Sequence, residues 1–523
     1  MIVTTAAEMR RIDQLAIERF GVPAETLMER AGVGAAEAVL ARFPHVRKTG
    51  VVVLAGKGNN GGDGYVVARA LKKKRVRCEV ILAVPRADVR PPARTKLLAW
   101  ERAGGKTTVV TASDLGPLQR ALARAGCVVD GLFGTGLAGT VTGLAAEVIA
   151  LVNASGVPTV ALDIPSGLDA DRGVPLGSAI EAELTVAFAA PKIGTLLYPG
   201  ARYTGELAVV DIGMPEAAVA EVAPAGEAIL AADAAALLVP RDPDSHKGTN
   251  GHVAVIAGGR GKTGAVVLAS RAAARAGAGL VTAGVPASEL QAVAARLLEE
   301  MTSALPDDGE GGLGFPSPHA YADLLDGKQA LVTGPGLGVT DARCALVAWI
   351  VREAALPAVI DADALNCLAR SGPAGAWGAA DRPRILTPHP GEMSRLVGKP
   401  IAEIEDDRVE IARAFARERQ VHLVLKGHRT LLAFPDGRVW INPTGTPAMA
   451  TGGTGDILTG LIAGFLAQFP RDAEQAIAAA VYLHGLSGEI GAGELGEKCL
   501  IATDLLRYLP AAMEQSARIP DRI

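Results

Sequence analysis

The segment from Asn442 to Phe469, NPTGTPAMATGGTGDILTGLIAGFLAQF, places one carboxylate, Asp456, between a run of glycines and an apolar helix. Glycines allow a backbone to approach a ligand closely, and the N-terminus of a helix stabilises negative charge. A carboxylate at that point suits a general base that removes a proton beside a bound anion. Asp456 could also cap the helix, and it could do both.

Three further loops carry polar residues directly after apolar runs. VVVLAG runs into KGNNGGDGYVVARAL, a second run ends in DGLFGTGLAGTVTG, and a third ends in LDIPSGLDADRG. A glycine-rich turn between a strand and a helix offers backbone N–H groups to an anion. Ligands of open parallel sheets bind at the carboxyl edge of the strands. These loops predict a phosphate-bearing ligand, although a tight turn capped by Asp63 would explain the first loop alone.

The elements that must position these loops are strands covered on both faces. Runs that are apolar throughout recur between helical stretches, at 51, 79, 128, 159, 184 and 207 and again at 252, 280, 330, 358, 384 and 422. Such runs are typical of parallel sheets in an α/β fold. TLLAFP and RVWIN, separated by Asp436-Gly437, predict an antiparallel hairpin. A first helix is expected to place Met9, Ile12, Ala16 and Phe20 on one face.

The chain is long enough for two domains. The strand pattern stops after Met214-Pro215 and is followed by an alanine- and proline-rich stretch. We therefore predict an N-terminal domain at 1–220 and a C-terminal domain at 221–523, with no sign that one sequence repeats the other.

Composition narrows the class of protein. The 52 basic and 56 acidic residues give a net charge of −4, which lacks the electrostatic footprint of a nucleic-acid binder. Five scattered cysteines without a C-x-x-C pair favour a reducing compartment. No segment has the roughly 18 consecutive apolar residues of a membrane span. We expect a soluble, cytoplasmic protein, and soluble enzymes of this kind are often symmetric homo-oligomers.

The segment GGRGKTGA, at 258–265, is not a phosphate loop of the G-x-x-x-x-G-K-[ST] type. The leading glycine would have to stand at position 256, which is Ile256.

NNGGDGY, DGLFGTG, DIPSG and APKIGTLLYPG, in this order, resemble the epimerase domain of NAD(P)H-hydrate repair enzymes over residues 1 to about 215. The resemblance implies a Rossmann-like three-layer sandwich that interconverts the R and S forms of hydrated NADH and NADPH. It implies that the hydrate is bound by Asn59, Asn60, Gly61, Gly62, Asp63, Gly134, Thr135, Gly136, Leu137, Ala138, Gly139, Thr140 and Asp163.

The same resemblance implies a potassium ion held by the oxygen atoms of Asn60, Asp130 and Ser166. Asp163 would transfer a proton at the hydrated ring, with Lys192 as a second catalytic candidate. Lys192 could instead be a surface lysine at a strand end.

GPGLG, DADALN, TPHPGEMSRL, KGHRT and the segment around Asp456 resemble the ribokinase-like dehydratase domain of the same enzymes, over roughly 230–510. This implies a dehydratase that consumes ADP or ATP with Mg²⁺, with Asp456 as general base. Ala265, Gly336, His389 and Asp456 would contact the hydrate, although His389 could be purely structural. Nucleotide binding would fall to Lys426, Gly427, His428, Arg429, Thr430, Thr446, Pro447, Ala448, Met449, Ala450, Thr451, Gly452, Gly453, Thr454 and Gly455.

The sequence departs from the family pattern G-N-P-G-M at Thr446 and Ala448, and Lys262 stands where a bulky residue is common. Nucleotide preference is therefore open, with ADP favoured by the resemblance. Two other functions remain: a small-molecule kinase fused to a ligand-binding domain, and an N-terminal domain that senses the cofactor without turnover.

Overall fold

The computed structural model describes residues 1–518, which form two compact units, one of residues 2–227 and one from residue 228 onward. Both are α/β, as the sequence predicts. Within residues 1–518, no helix combines the length and the hydropathy that crossing a bilayer requires.

Residues 2–228 contain nine strands and ten α-helices. The strands are β1 (Ile2–Val3), β2 (Val51–Ala55), β3 (Cys78–Leu82), β4 (Lys106–Val109), β5 (Cys127–Gly131), β6 (Thr159–Leu162), β7 (Leu184–Phe188), β8 (Glu206–Val210) and β9 (Gly226–Ala228). The helices are α1 (Ala6–Glu18), α2 (Ala24–Arg42), α3 (Val46–Thr49), α4 (Asn59–Lys73), α5 (Ala93–Arg102), α6 (Gly116–Leu122), α7 (Gly143–Ser155), α8 (Ile193–Leu196), α9 (Gly200–Thr204) and α10 (Glu216–Val222).

Seven of these strands form one parallel sheet in the order β4-β3-β2-β5-β6-β7-β8. Counted from β2 along the chain, this order is 3-2-1-4-5-6-7, which contains the Rossmann arrangement. The order reverses between β2 and β5, so the loops after these strands diverge and leave a crevice at the carboxyl edge.

The C-terminal unit contains a further nine strands and twelve α-helices among the described residues. The strands are β10 (His252–Ile256), β11 (Leu280–Pro286), β12 (Met301–Leu305), β13 (Ala330–Thr333), β14 (Ala358–Ile360), β15 (Arg384–Leu386), β16 (His422–Leu425), β17 (Leu431–Ala433) and β18 (Val439–Ile441). The helices are α11 (Ala231–Ala235), α12 (Thr263–Arg275), α13 (Leu290–Ala294), α14 (Ala322–Leu325), α15 (Asp341–Glu353), α16 (Asp363–Ser371), α17 (Pro390–Val397), α18 (Ile401–Asp406), α19 (Arg408–Arg419), α20 (Thr454–Gln468), α21 (Ala473–Leu495) and α22 (Ala502–Arg518).

The C-terminal sheet repeats the strand order of the first. Strands β12-β11-β10-β13-β14-β15-β16 are parallel, which is again 3-2-1-4-5-6-7 counted from β10. The predicted hairpin is confirmed, because β17 and β18 pair antiparallel beyond β16.

Helix α20, which forms the second half of the segment quoted first, packs close to α12. A Cβ atom on Gly460 would lie 2.1 Å from the Ala269 carbonyl oxygen, and one on Gly464 would lie 2.6 Å from that of Ala273. The two glycines are one helical turn apart and share a face. Glycine is therefore required at both positions for this contact.

The first helix differs from expectation at its end. Met9, Ile12 and Ala16 are buried as predicted, but α1 ends at Glu18 and Phe20 is exposed. The helical period that aligned Phe20 with the buried face does not continue beyond the last turn.

Candidate active sites

The N-terminal unit encloses a cavity of about 670 Å³ at the crevice between β2 and β5. Ten of the predicted site residues line it: Asn59, Asn60, Asp63, Gly134, Thr135, Gly136, Leu137, Ala138, Asp163 and Lys192. Gly61, Gly62, Gly139 and Thr140 are not among the lining residues. Gly61 and Gly62 serve close packing inside α4, since a Cβ atom there would lie 2.3 Å from the Gly56 carbonyl oxygen and 2.7 Å from the Met28 sulfur, respectively.

Lys192 is 1% exposed and donates a hydrogen bond to Asp163 Oδ1. Its ammonium also donates to the carbonyl oxygens of Ala190, at 3.1 Å, and Phe188, at 3.4 Å. Burial excludes the surface-lysine interpretation. Asp163 adopts a φ of 65°, a left-handed conformation that aspartate tolerates better than most residues.

Helix α1 supplies a wall of the cavity that sequence reasoning missed. Met9, Arg10, Asp13 and Ile17 line it. Burial, followed by the charge of Asp163, raises the pKa of Asp13 to about 6. Burial and the charges of Asp163 and Asp13 raise the pKa of Asp63 well above its usual value. The sequence feature that could have predicted Asp13 as a site residue is its position four residues after Met9, on a helix whose inner face is otherwise apolar.

Asn60, Asp130 and Ser166 converge around the backbone of Phe133. The Asn60 amide donates to the Phe133 carbonyl oxygen at 2.7 Å, and the Phe133 N–H donates to Ser166 Oγ at 2.8 Å. Ser166 Oγ donates to Asp130 Oδ1 at 2.7 Å, and Ser166 N–H donates to Asp130 Oδ2 at 2.8 Å.

All three side chains are buried, and burial raises the pKa of Asp130 to about 6. Within residues 1–518 no Lys, Arg or His side chain forms an ion pair with Asp130. A buried carboxylate among neutral oxygen donors fits a hard monovalent cation. No cluster of three or more His, Cys, Asp or Glu ligands occurs in the same range.

In the C-terminal unit, Asp456 lies in the first turn of α20, after Gly453, which has a φ of 94°. Burial, then the charge of Asp361, raises the pKa of Asp456 to about 7, while Lys426 lowers it. An ideal Cβ atom on Gly455 would lie 3.3 Å from Lys426 Nζ. The ammonium group of Lys426 therefore lies against the start of α20, the helix that carries Asp456.

Lys426 is held in place mainly by the carboxylate of Asp361. Its Nζ donates to Asp361 Oδ1 at 2.8 Å and lies 3.9 Å from Glu392 Oε2. Thr459 Oγ1 donates to Asp361 Oδ2 at 2.8 Å. Burial alone would lower the pKa of Lys426, but Asp361 and Glu392 raise it. Lys426 thus stays a cation where an anion would approach the helix.

Two histidines form hydrogen bonds with the backbone at the starts of α17 and α20. His389 Nδ1 accepts hydrogen bonds from the N–H groups of Gly391 and Glu392, so it caps α17 while its side chain stays half exposed. His484 Nε2 donates to the Thr454 carbonyl oxygen at 2.9 Å, and burial lowers the pKa of His484 to about 4. The structural interpretation of His389 is therefore supported, and its exposed face leaves a ligand contact open.

The other predicted residues lie in loops or in the first turns of α12 and α20. Gly336 approaches Ala265 and Lys262, because a Cβ atom on it would lie 3.2 Å from Ala265 Cβ and 3.0 Å from Lys262 Cβ. Lys426–Thr430 follows β16, where Thr430 Oγ1 donates to the Gly427 carbonyl oxygen at 3.3 Å. Thr446–Gly455 leads into α20, and Ala448 N–H donates to Thr446 Oγ1 at 3.3 Å.

The geometry of these two sites defines a class of protein. The chain is a two-domain α/β enzyme with a separate carboxylate–lysine site in each unit, one at a Rossmann-type crevice and one at a glycine-rich helix start suited to a nucleotide phosphate.

Comparison with known proteins narrows this class. Residues 253–511 match the family model described as NAD(P)H-hydrate dehydratase, and residues 24–194 match the YjeF-related protein N-terminus. The bifunctional NAD(P)H-hydrate repair enzyme of Moorella thermoacetica is 43% identical over 512 residues, covering 98% of this chain and 96% of that protein. The enzyme of the same description from Thermofilum pendens is 36% identical over 513 residues, covering 98% and 96%. The chain belongs to the family of bifunctional NAD(P)H-hydrate repair enzymes.

One solved structure is similar to part of this chain. It is the ADP/ATP-dependent NAD(P)H-hydrate dehydratase from Bacillus subtilis, co-crystallised with ATP and Mg²⁺, with 34% identity and a TM-score of 0.48. The match covers 55% of this chain and 98% of that chain.

Proposed function

We propose that the N-terminal unit interconverts the R and S forms of hydrated NADH and NADPH, and that the C-terminal unit dehydrates the S form. The second reaction restores NAD(P)H and converts ADP to AMP and phosphate, or ATP to ADP and phosphate. The observation that carries this proposal is the presence, on one chain of this family, of the Asp163–Lys192 cavity and of Asp456 at the start of α20.

In the dehydratase site, Asp456 would take the proton from the ring hydroxyl as that oxygen attacks the terminal phosphorus of the nucleotide. Backbone N–H groups at the start of α20 and the Lys426 ammonium would stabilise the charge on the transferred phosphoryl group. The bond between ring carbon 6 and the phosphorylated oxygen then breaks and releases phosphate, a better leaving group than hydroxide. The adjacent ring carbon loses a proton to water, which forms the ring double bond of NAD(P)H. Mg²⁺, when bound with the nucleotide, would neutralise phosphate charge.

In the epimerase site, Asp163 would accept the proton of the hydroxyl group on ring carbon 6. Lys192 holds that carboxylate in place from the buried side. Asn60, Asp130 and Ser166 would hold a potassium ion, supported by their burial and by the absence of an ion-pair partner for Asp130 among residues 1–518. The glycine-rich loops after β2 and β5 would receive the phosphates of the hydrate.

Three finer assignments belong to the same proposal. We propose ADP as the preferred nucleotide, a cytoplasmic location and a homo-oligomeric assembly. The five cysteines, all of them free thiols, support a reducing compartment.

The test uses the separated R and S forms of enzymatically hydrated NADH. The S form with Mg²⁺ and either nucleotide should regain the absorbance of reduced nicotinamide, and the R form should regain it through the S form. No recovery from the S form with ADP or ATP would refute the dehydratase. Conversion of the R form no faster than without protein would refute the epimerase and favour a cofactor sensor.

The small-molecule kinase is not favoured. Relatives described as repair enzymes match both units along nearly the whole chain, and a kinase alone would leave the cavity beside Asp163 without a role.

A further inference from the structure

The wall that α1 contributes to the N-terminal cavity is fixed in place. Thr5 and Glu8 form a capping box at its start, and Ala6 N–H donates to Asp171 Oδ1 at 2.6 Å. Met9, Asp13 and Ile17, spaced four residues apart, lie along one line of the helix and line the cavity. Asp13 is the one carboxylate that α1 presents to this space.

Three carboxyl groups from three different elements line the cavity, Asp13 on α1, Asp63 on α4 and Asp163 after β6. Of these three carboxyl groups, that of Asp163 accepts a hydrogen bond from the buried ammonium of Lys192. The remaining charged groups in the lining are Arg10 and Lys57, and Lys96 acts on Asp63 from α5.

No donor within residues 1–518 forms a hydrogen bond with the carboxyl group of Asp13. Burial and the negative charge of Asp163 favour its protonated form, with a pKa of about 6, against the opposing effect of Lys192. Two neighbouring carboxyl groups in such different surroundings, one paired with an ammonium and one without a cation of its own, are suited to opposite roles in proton transfer.

We propose that Asp13 is a second catalytic residue of the epimerase, which gives a proton to the ring nitrogen while Asp163 removes one from the hydroxyl group. The inference rests on the proposed epimerase function. Asp13 is less suited to a phosphate contact, because a carboxylate repels phosphate.

The proton balance closes for ring opening. Asp163 takes the hydroxyl proton, the oxygen forms a carbonyl group with ring carbon 6, and the bond from that carbon to the ring nitrogen breaks. Asp13 protonates the nitrogen, which leaves an open-chain aldehyde and an amine. After the aldehyde turns its other face, the nitrogen attacks it and returns its proton to Asp13, while Asp163 returns its proton to the oxygen. No oxidant or reductant is consumed.

The experiment follows conversion of the R form to the S form by chromatography, without nucleotide and in saturating potassium, from pH 5.5 to 8.5. It compares the full-length protein with Asp13→Asn, Asp13→Glu and Glu18→Gln. Glu18 is exposed, lies on the same helix outside the cavity lining, and loses the same charge. Dehydration of the S form by each variant, and its thermal unfolding midpoint, report whether the chain is intact.

We expect Asp13→Asn to lower kcat for epimerisation by about 10²- to 10⁴-fold with little change in KM. The wild-type rate should fall as the pH rises above about 6, where Asp13 loses its proton, and this alkaline fall should be absent from the residual rate of Asp13→Asn. Asp13→Glu should recover part of the rate and the alkaline fall, and Glu18→Gln should match the wild type.

Three results would overturn the inference alone: an Asp13→Asn rate close to wild type, a lower rate that keeps the wild-type alkaline fall, or a Glu variant no better than the Asn variant. A wild-type protein that does not accelerate the interconversion would instead overturn the epimerase function, and the inference with it.

Discussion

The two active-site regions share the same strand order, but the aspartate proposed as the base occupies a different position in each. In both sheets the fifth strand along the chain ends in an aspartate that pairs with a lysine: Asp163 with Lys192, and Asp361 with Lys426. In the N-terminal unit that paired aspartate is the proposed base. In the C-terminal unit the proposed base, Asp456, comes from a helix and lies outside the pair. The shared strand order therefore places a lysine-paired aspartate in each unit, but pairing with a lysine does not by itself make that aspartate the base.

The sharpest test of this contrast is Asp456→Asn. Dehydration should fall by about 10²- to 10⁴-fold because the general base is lost, whereas nucleotide binding and epimerisation should persist. Recovery of nicotinamide absorbance from the S form measures the loss, and conversion of the R form in the same protein is the control. Turnover near the wild-type level would contradict the assignment.

Asp163→Asn should act on both activity and stability. The buried Lys192 would lose its ionised partner, and breaking a buried pair costs about 3–5 kcal/mol. Asparagine tolerates the left-handed φ of this position, so backbone strain adds little. Denaturant unfolding of the N-terminal unit measures the free-energy loss, and epimerisation should fall about 10²-fold or more. An unchanged stability would show that Lys192 is satisfied by the two carbonyl groups alone.

The pH dependence of dehydration should separate the two sites. Asp456 must be ionised to act as a base, and its pKa is about 7. The value of kcat/KM should therefore fall about tenfold per pH unit as the pH drops below 7. Epimerisation is expected to fall in the opposite direction, above about pH 6. Identical pH profiles for the two reactions would contradict the difference in carboxylate assignment.

Ser166→Ala tests the proposed potassium site of Asn60, Asp130 and Ser166, for which the C-terminal unit has no proposed counterpart. It removes the hydroxyl between Asp130 and the Phe133 N–H, and leaving buried polar groups unpaired costs about 1–3 kcal/mol. Stimulation of epimerisation by potassium should disappear, with dehydration unchanged. Rates measured with potassium and with tetramethylammonium distinguish this from general destabilisation, and a retained potassium effect would argue against the site.

The smallest effect is expected at the nucleotide loop. Thr446→Asn restores the residue type usual in the family while exchanging one hydrogen-bonding group for another. The ratio of kcat/KM for ADP and ATP should change by about tenfold or less, the free energy of one hydrogen bond. Lys262→Met, at the other departure from the family pattern, is the comparison variant.

Much of this organisation is readable from sequence because it is local. Unbroken apolar runs indicated the parallel strands, and glycine-rich loops after them located the crevice of the first unit. The Lys192–Asp163 and Lys426–Asp361 pairs were not predicted, since residues 29 and 65 positions apart meet only through the sheet. Asp13 was missed for a similar reason. Its helix precedes the sheet, and only tertiary packing shows which face of the helix reaches the cavity.

The close contact between α20 and α12 makes part of the protein interior as sensitive to substitution as the active site. Gly460 and Gly464 face α12 with hydrogen atoms where any other residue would place a carbon. The absence of a side chain at these two positions therefore sets the distance between α20 and α12. A methyl group at either position would push α20 outward and move Asp456, one and two turns away. Displacement of reacting groups by about 1 Å can cost 10²-fold in rate. Mutational drift at these two glycines should therefore inactivate the dehydratase without altering any residue that contacts a ligand.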